Sequence, residues 1–305
     1  MCRALAYLGT RIALDQLLYK PDSSLITQAY DPKRMTEVPQ NLGGFGLLAW
    51  DALSEVPKLP HIYRTHLLPF YDDNLSNLAS KVRANCVLAH VRGVEYNNET
   101  AVSNQNVHPF LFQNTDIAFA HNGDLAGFEA IRYELATYMK PEYRAQIKGT
   151  TDTEWMYALF LSVLKDGRKK HTVEDIHRGI VSMLDIIRSI RKKKKIFYSS
   201  SLNFFISNGE VIFVIRYILD FGHYPPKEEG VLRGYTSLWY TFGEEYGEFE
   251  GEYKMKGGKT RKSIIIASEP LTSDYTTWIE VPEYSFISAS LKNGEIFMKS
   301  ANIDP

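Results

Sequence analysis

Cysteine is scarce in this chain, with only Cys2 and Cys86 among 305 residues. Cys86 sits in the apolar run Cys86-Val87-Leu88-Ala89, which suits a buried inert thiol better than a disulfide partner. No charge of one sign dominates either, since Lys plus Arg number 35 against 36 for Asp plus Glu. Without a field of one sign to gather phosphate backbones or anionic lipids, nucleic acid is not an expected partner. Long hydrophobic runs are missing as well: nowhere do 18 consecutive apolar residues occur, and no basic region followed by an apolar stretch opens the chain. Neither a membrane span nor a signal peptide is therefore expected, and the cytoplasm is the expected compartment. Repeats, low-complexity blocks and linkers are absent, so residues 2–305 read as one domain with elaborated loops. What remains is an ordinary globular composition, 44% apolar and 23% charged, long enough to bury a substantial core.

Short apolar runs predict strands at residues 4–8, 44–50, 86–91, 110–113 and 117–120. Residues 202–207 and 211–218 flank Asn208-Gly209, and residues 285–291 and 296–299 flank Asn293-Gly294, both in the arrangement of a type I′ hairpin. Residues 263–267 and 278–281 add further strand candidates. From Val173, the apolar residues Ile176, Ile180, Met183, Leu184, Ile187 and Ile190 recur at three and four, the mark of one buried helix face. A second helix is expected over 125–139, closed by Pro141, and a third over 153–165, with Gly167 as its cap. The basic run 191–195 follows the long helix, where cations favour the negative end of the dipole and stay in water. Strands at both ends with helices between them predict an α+β or layered αββα fold.

Cys2, directly behind Met1, is the most informative residue. Trimming one methionine would leave its thiol and a free α-amine on the same residue. The thiolate is the nucleophile, and an α-amine titrates near ~7.7 to 8.0 against ~8.5 for a cysteine, so the amine can act as base to its own side chain. Three other constellations stand beside it. Ala89-His90-Val91-Arg92 ends a buried strand in a guanidinium whose planar fork suits a carboxylate; a strand-end arginine also reaches water. His121-Asn122-Gly123-Asp124 places a side-chain amide next to a glycine N–H, two donors able to converge on one oxygen; a turn leading into a helix is equally open to it. In Thr151-Asp152-Thr153-Glu154 the capping-box pattern gives a structural role, yet a cap made by Thr151 would leave the Asp152 carboxylate for a substrate ammonium.

The order Cys2, His90-Val91-Arg92, His108-Pro109-Phe110, His121-Asn122-Gly123, Thr151-Asp152-Thr153-Glu154 resembles the class II glutamine amidotransferases of the N-terminal-nucleophile (Ntn) hydrolase superfamily. Ala267-Ser268-Glu269-Pro270-Leu271 with Trp278 and Val281-Pro282 looks like the closing segment of the stand-alone branch, similar to the ergothioneine-pathway amidohydrolase and the glutathione-degrading amidotransferase component. The resemblance implies a four-layer αββα sandwich of two mainly antiparallel sheets and hydrolysis of a γ-glutamyl amide bond through a Cys2 thioester. It further implies an oxyanion hole from Asn122 and Gly123, with Arg92 on the substrate α-carboxylate and Asp152 on its α-ammonium. His108 matches a family histidine grouped with the substrate site, with no chemical step assigned; a His-Pro pair at a strand start also suits a residue that only shapes the loop. Gly43-Gly44-Phe45-Gly46 resembles the family's glycine-rich turn.

One departure stands out: Arg92 is followed by Gly93-Val94-Glu95-Tyr96, where biosynthetic members have an aromatic residue and a threonine that cover glutamine. No cofactor is implied, and His61, His66, His171 and His177 lack the Cys or carboxylate spacing of a zinc site, so no metal is expected. The expected partner is a small γ-glutamyl substrate, with no membrane. A glutaminase subunit supplying ammonia to a separate synthetase, and a non-catalytic module that binds γ-glutamyl compounds, are the competing readings.

Overall fold

The computed structural model describes residues 2–34, 40–94, 102–164, 170–223 and 236–304. The strands of the first half are β1 (Arg3–Ala13), β2 (Phe45–Trp50), β3 (His61–Thr65), β4 (Arg83–Val91), β5 (Ala118–Gly123), β6 (Ser200–Ser207) and β7 (Val211–Leu219). Those that follow are β8 (Trp239–Gly243), β9 (Glu245–Phe249), β10 (Glu252–Lys256), β11 (Ser263–Ala267), β12 (Ile279–Glu280), β13 (Ser285–Lys292) and β14 (Glu295–Asn302). Short helices α1 (Asp15–Leu18) and α2 (Thr27–Tyr30) and the longer α3 (Asp73–Lys81) belong to the N-terminal part. The central group is α4 (Phe128–Leu135), α5 (Pro141–Arg144), α6 (Asp152–Val163) and α7 (Val173–Lys193).

Seven strands pair in the order β12-β8-β11-β1-β4-β2-β3 and five in the order β14-β13-β7-β6-β5, while β9 and β10 form a separate ribbon. The alternation of side chains along a strand assigns the layers. In β1, Ala4, Ala6 and Leu8 meet Leu88, Phe205, Val214 and Ile266 between the two sheets. Leu5 and Tyr7 point the other way, into a second core with Leu17, Leu75 and Ile265 under the N-terminal helices. A third core sets Phe119, Phe204 and Ile215 of the smaller sheet against Tyr157, Phe160, Ile180 and Ile187. The result is the expected αββα stack. β4 lies between two of these cores, which is why its sequence is a continuous apolar run instead of an alternating one. No helix among the described residues is long and apolar enough to cross a membrane.

The long amphipathic helix is present as α7, opened by a reciprocal capping box between Thr172 and Asp175. The Asn293-Gly294 turn has positive φ at both residues and joins Lys292 to Glu295, as a type I′ hairpin requires. Asn208-Gly209 departs from that expectation. Only Gly209 has positive φ, and the Asn208 side chain accepts the N–H groups of Glu210 and Val211, making a longer loop.

Other expectations are corrected. Residues 110–113 form no strand beyond one bridge between Phe110 and Phe119, because side chains of Tyr157 and Gln146 accept the Phe112 and Gln113 N–H groups. The helix expected over 125–139 begins only at Phe128 and ends in a 3-10 turn, Ala136–Tyr138; Asp152 takes the Leu125 N–H, and Gly127 adopts φ +77°. The third helix runs Asp152–Val163, and its expected Gly167 cap falls outside the described residues. In the basic run, Lys192 to Lys195 are exposed, but Arg191 is buried against the Ala126 and Tyr198 carbonyls and the Asp220 carboxylate.

Ile187, fully buried on α7, tests the third core. Ile187→Ala should lower unfolding free energy by about 2 to 5 kcal/mol, measured by urea denaturation.

Candidate active site

The sheet order brings the N-terminus to the site. β1 is the central strand of the larger sheet, paired with β4 and β11, so Arg3 lies opposite Val91 and Leu5 opposite Ala267. Cys2 is buried one residue before this ladder, at 7% exposure, and the Gly93 N–H donates to its Sγ at 3.3 Å. Burial pushes the Cys2 thiol up from its ordinary value; the Gly93 N–H and the Arg92 charge oppose that rise, and the Asp152 charge adds to it. Burial likewise lowers Arg92, offset by Cys2 and then Asp152. Cys2 and Arg92 thus act electrostatically on each other, and the Asp152 charge reaches both.

Arg92 is held through its main chain, donating to Gly44 O and accepting from Gly43 N, both at 2.8 Å. Gly44 has φ +112°, and a Cβ there would stand 2.6 Å from Thr65 O. The glycine-rich turn accordingly backs the arginine.

His121-Asn122-Gly123 lies inside β5, not after it. β5 is an edge strand, and Asp124 N donates to Ser201 O, so the alternation of antiparallel pairing turns the His121 carbonyl and the Gly123 N–H outward from the sheet edge. A Cβ on Gly123 would fall 1.7 Å from Ser201 O, which reserves the position for glycine. Asn122, fully buried, faces the space between the sheets, where its side-chain amide is hydrogen-bonded to Ser268 Oγ at 2.7 Å.

His90 Nε2 and His108 Nδ1 both approach the His121 carbonyl, at 3.1 and 3.2 Å, with ring centroids 4.2 Å apart. A carbonyl only accepts, so both nitrogens carry hydrogen. His108, placed with the substrate residues by sequence, here holds the backbone that precedes Asn122. The Thr153 hydroxyl lies between His121 Nδ1 at 3.2 Å and Asp152 Oδ1 at 3.1 Å. Thr151 caps α6, as expected, but Glu154 completes no capping box: its carboxylate turns back to the Lys148 and Gly149 N–H groups. The Asp152 carboxylate is already anchored by the N–H groups of Leu125 at 2.9 Å and Thr153 at 2.6 Å.

Sequence reasoning missed the Gly93 N–H and the buried Arg3–Glu269 ion pair at 3.2 Å. Backbone donors leave no trace in residue type. The pair did have a signal, since a charged residue at the head of an apolar strand demands a partner once that strand is central.

Burial pushes His90 down to about 3 and also depresses His108 and His121. Their folded values lie below the unfolded ~6.5, so the stabilisation is present above that pH and is lost as protons bind the unfolded chain below it. Between about pH 6 and 4, a His90 held neutral should cost roughly 1.4 kcal/mol per pH unit, and His108 and His121 act in the same direction. Urea midpoints at pH 7 and 5 for wild type and His90→Gln should differ in slope by about one proton; equal slopes would refute a neutral buried His90.

The profile of the family described as Glutamine amidotransferases class-II matches residues 71–228. That span holds Arg92, His108, Asn122, Gly123 and Asp152 but not Cys2. The probable glutamine amidotransferase DUG3 of Saccharomyces cerevisiae is 30% identical over 94% of this chain and 81% of its own. A γ-glutamyl-hercynylcysteine sulfoxide hydrolase of Mycobacterium tuberculosis is 30% identical over 30% of this chain and 37% of its own. Among solved structures, a glutamine aminotransferase class-II domain protein from Silicibacter pomeroyi covers 100% of both chains at 20% identity, with a TM-score of 0.61. The glutamine phosphoribosylpyrophosphate amidotransferase of B. subtilis matches 99% of this chain with 49% of its own, at 19% identity and a TM-score of 0.59, a likeness of fold.

Proposed function

The chain belongs to the class II glutamine amidotransferases, and from that premise we propose that it hydrolyses a γ-glutamyl amide bond through a thioester on Cys2. The observation that carries this reading is geometric: the Gly93 N–H donates to Cys2 Sγ at 3.3 Å beside Arg92, and Ser268 Oγ, bonded to Ala4 N two residues after Cys2, meets the Asn122 side chain at 2.7 Å next to an outward-turned Gly123 N–H. With Met1 removed, the α-amine takes the Cys2 proton and Sγ attacks the γ-carbonyl carbon. Asn122 and Gly123 donate to the oxyanion. The ammonium returns its proton to the leaving nitrogen as the C–N bond breaks, and a thioester remains. Water attacks that thioester, the amine accepts the water proton, and collapse releases glutamate and restores the thiol.

Recognition is divided between two charges. Arg92 offers its fork to the α-carboxylate, while the Asp152 carboxylate, already oriented by two backbone donors, keeps lone pairs for the α-ammonium. His108 acts through the His121 carbonyl without touching substrate. The relative named for a γ-glutamyl-hercynylcysteine sulfoxide supports a γ-glutamyl compound as substrate, and a thiol nucleophile suits the reducing cytoplasm.

Incubation of untagged enzyme with a glutamine-derived diazo-ketone should add one adduct at Cys2 to a chain lacking Met1, read by intact mass. Cys86, fully buried with its thiol pushed up to about 12, should remain unmodified. Turnover of a γ-glutamyl panel should vanish in Cys2→Ser and fall about 10²- to 10³-fold in kcat in Asn122→Ala. Full activity in Cys2→Ser would overturn the mechanism. Activity that appears only with an added synthetase would favour the ammonia-supplying alternative.

A further inference from the structure

Ser268 links the two sheets at the site. Its Oγ accepts the Ala4 N–H at 2.9 Å, two residues after Cys2, and lies 2.7 Å from the Asn122 amide nitrogen across the interface. Ser268 is itself fully buried and fixed at both main-chain groups: its N–H donates to Ala4 O at 2.9 Å, and its carbonyl accepts from Ser237 Oγ at 2.8 Å.

Counting donors and acceptors decides how the amide stands. With Nδ2 donating to Ser268, the hydroxyl oxygen accepts twice and Asn122 Oδ1 is buried without a partner among the described residues. An unpaired buried carbonyl forfeits its hydration with nothing in return. Exchanging O and N of the amide keeps its shape and turns the deficit from acceptor to donor: the Ser268 hydroxyl donates to Oδ1, its lone pair still receives Ala4 N–H, and Nδ2 takes the place of the orphan atom. A donor then stands where an acceptor had no partner, and a developing oxyanion supplies what that donor requires.

We propose that Ser268 is a positioning residue for the oxyanion hole: its hydroxyl orients the Asn122 amide so that Nδ2 faces the reacting carbonyl, and ties that amide to the strand carrying Cys2. The inference rests on the thioester mechanism above. Ser268 touches no substrate and acts only through Asn122.

The test is a double-mutant cycle on the purified enzyme with a γ-glutamyl substrate that it turns over. Ser268→Ala should lower kcat about ten- to a hundredfold with KM within about twofold, because misplacing a catalytic donor affects the transition state more than ground-state binding. In an Asn122→Ala background, the same substitution should add less than about twofold, since the group it orients is gone. Ser207→Ala, which removes another fully buried hydroxyl beside Cys86, should leave kcat within about twofold and controls for loosening between the sheets. Additive losses from Ser268→Ala and Asn122→Ala, or a Ser268→Ala enzyme with unchanged kcat, would overturn the inference while leaving the thioester mechanism standing. Unchanged kcat in Asn122→Ala would remove the oxyanion assignment itself and, with it, the role of Ser268.

Discussion

The buried ion pair of Arg3 and Glu269 is the constraint on which the site depends. Chain ends fray unless tied down, yet Cys2, the nucleophile we propose, is the second residue. Arg3 donates from Nε to Glu269 Oε1 at 3.2 Å and also reaches the Cys2 carbonyl at 2.9 Å, with both side chains almost wholly buried. The second carboxylate oxygen accepts the Lys33 and Arg34 N–H groups, so the charge is paired and the remaining lone pairs are used. Such a pair adds little net stability over an apolar one, but breaking it leaves a buried charge that costs about 3 to 5 kcal/mol. Its effect is specificity of place: the pair and the Arg3 bond to the Cys2 carbonyl hold Cys2 at the end of a central strand.

Around that anchor the larger sheet brings Cys2 and Arg92, and the smaller sheet brings Asn122 and Gly123. The interface between the sheets is apolar over most of its extent, with Leu8, Leu88, Phe205 and Ile266 in contact, and becomes polar where Ser268, Asn122, His90 and His108 lie. Most hydrogen-bonding atoms of this buried polar layer are paired, and that pairing fixes the side chains in orientation. Neutral histidines suit the place because they donate a hydrogen bond to the His121 carbonyl without adding positive charge beside Arg92.

Much of this was legible in the residues. The 3.6-residue periodicity of α7, the Asn293-Gly294 turn and the apolar run of β4 all reflect local rules that the tertiary structure had no reason to override. Cys2, Arg92, Asn122, Gly123 and Asp152 were named from residue type and order, because their chemistry is unusual for the places where they stand. Harder to read were β3 and β8 to β10, short strands of mixed polarity whose pairing is decided by distant partners. The helix expected from Leu125 failed for a similar reason: the Asp152 carboxylate, 27 residues away, takes the Leu125 N–H before the helix forms.

By itself the sequence determined the cast of chemical groups and the layered α+β arrangement, since side-chain identity and hydrophobic period are local properties. Only the tertiary structure decided that Asn122-Gly123 forms the end of an edge strand, that His108 faces a carbonyl, that Arg191 is buried, and that Ser268 joins the two sheets. The physical reason is that a hydrogen bond across 146 residues follows from how strands pair and sheets stack, and neither end of it carries that information alone.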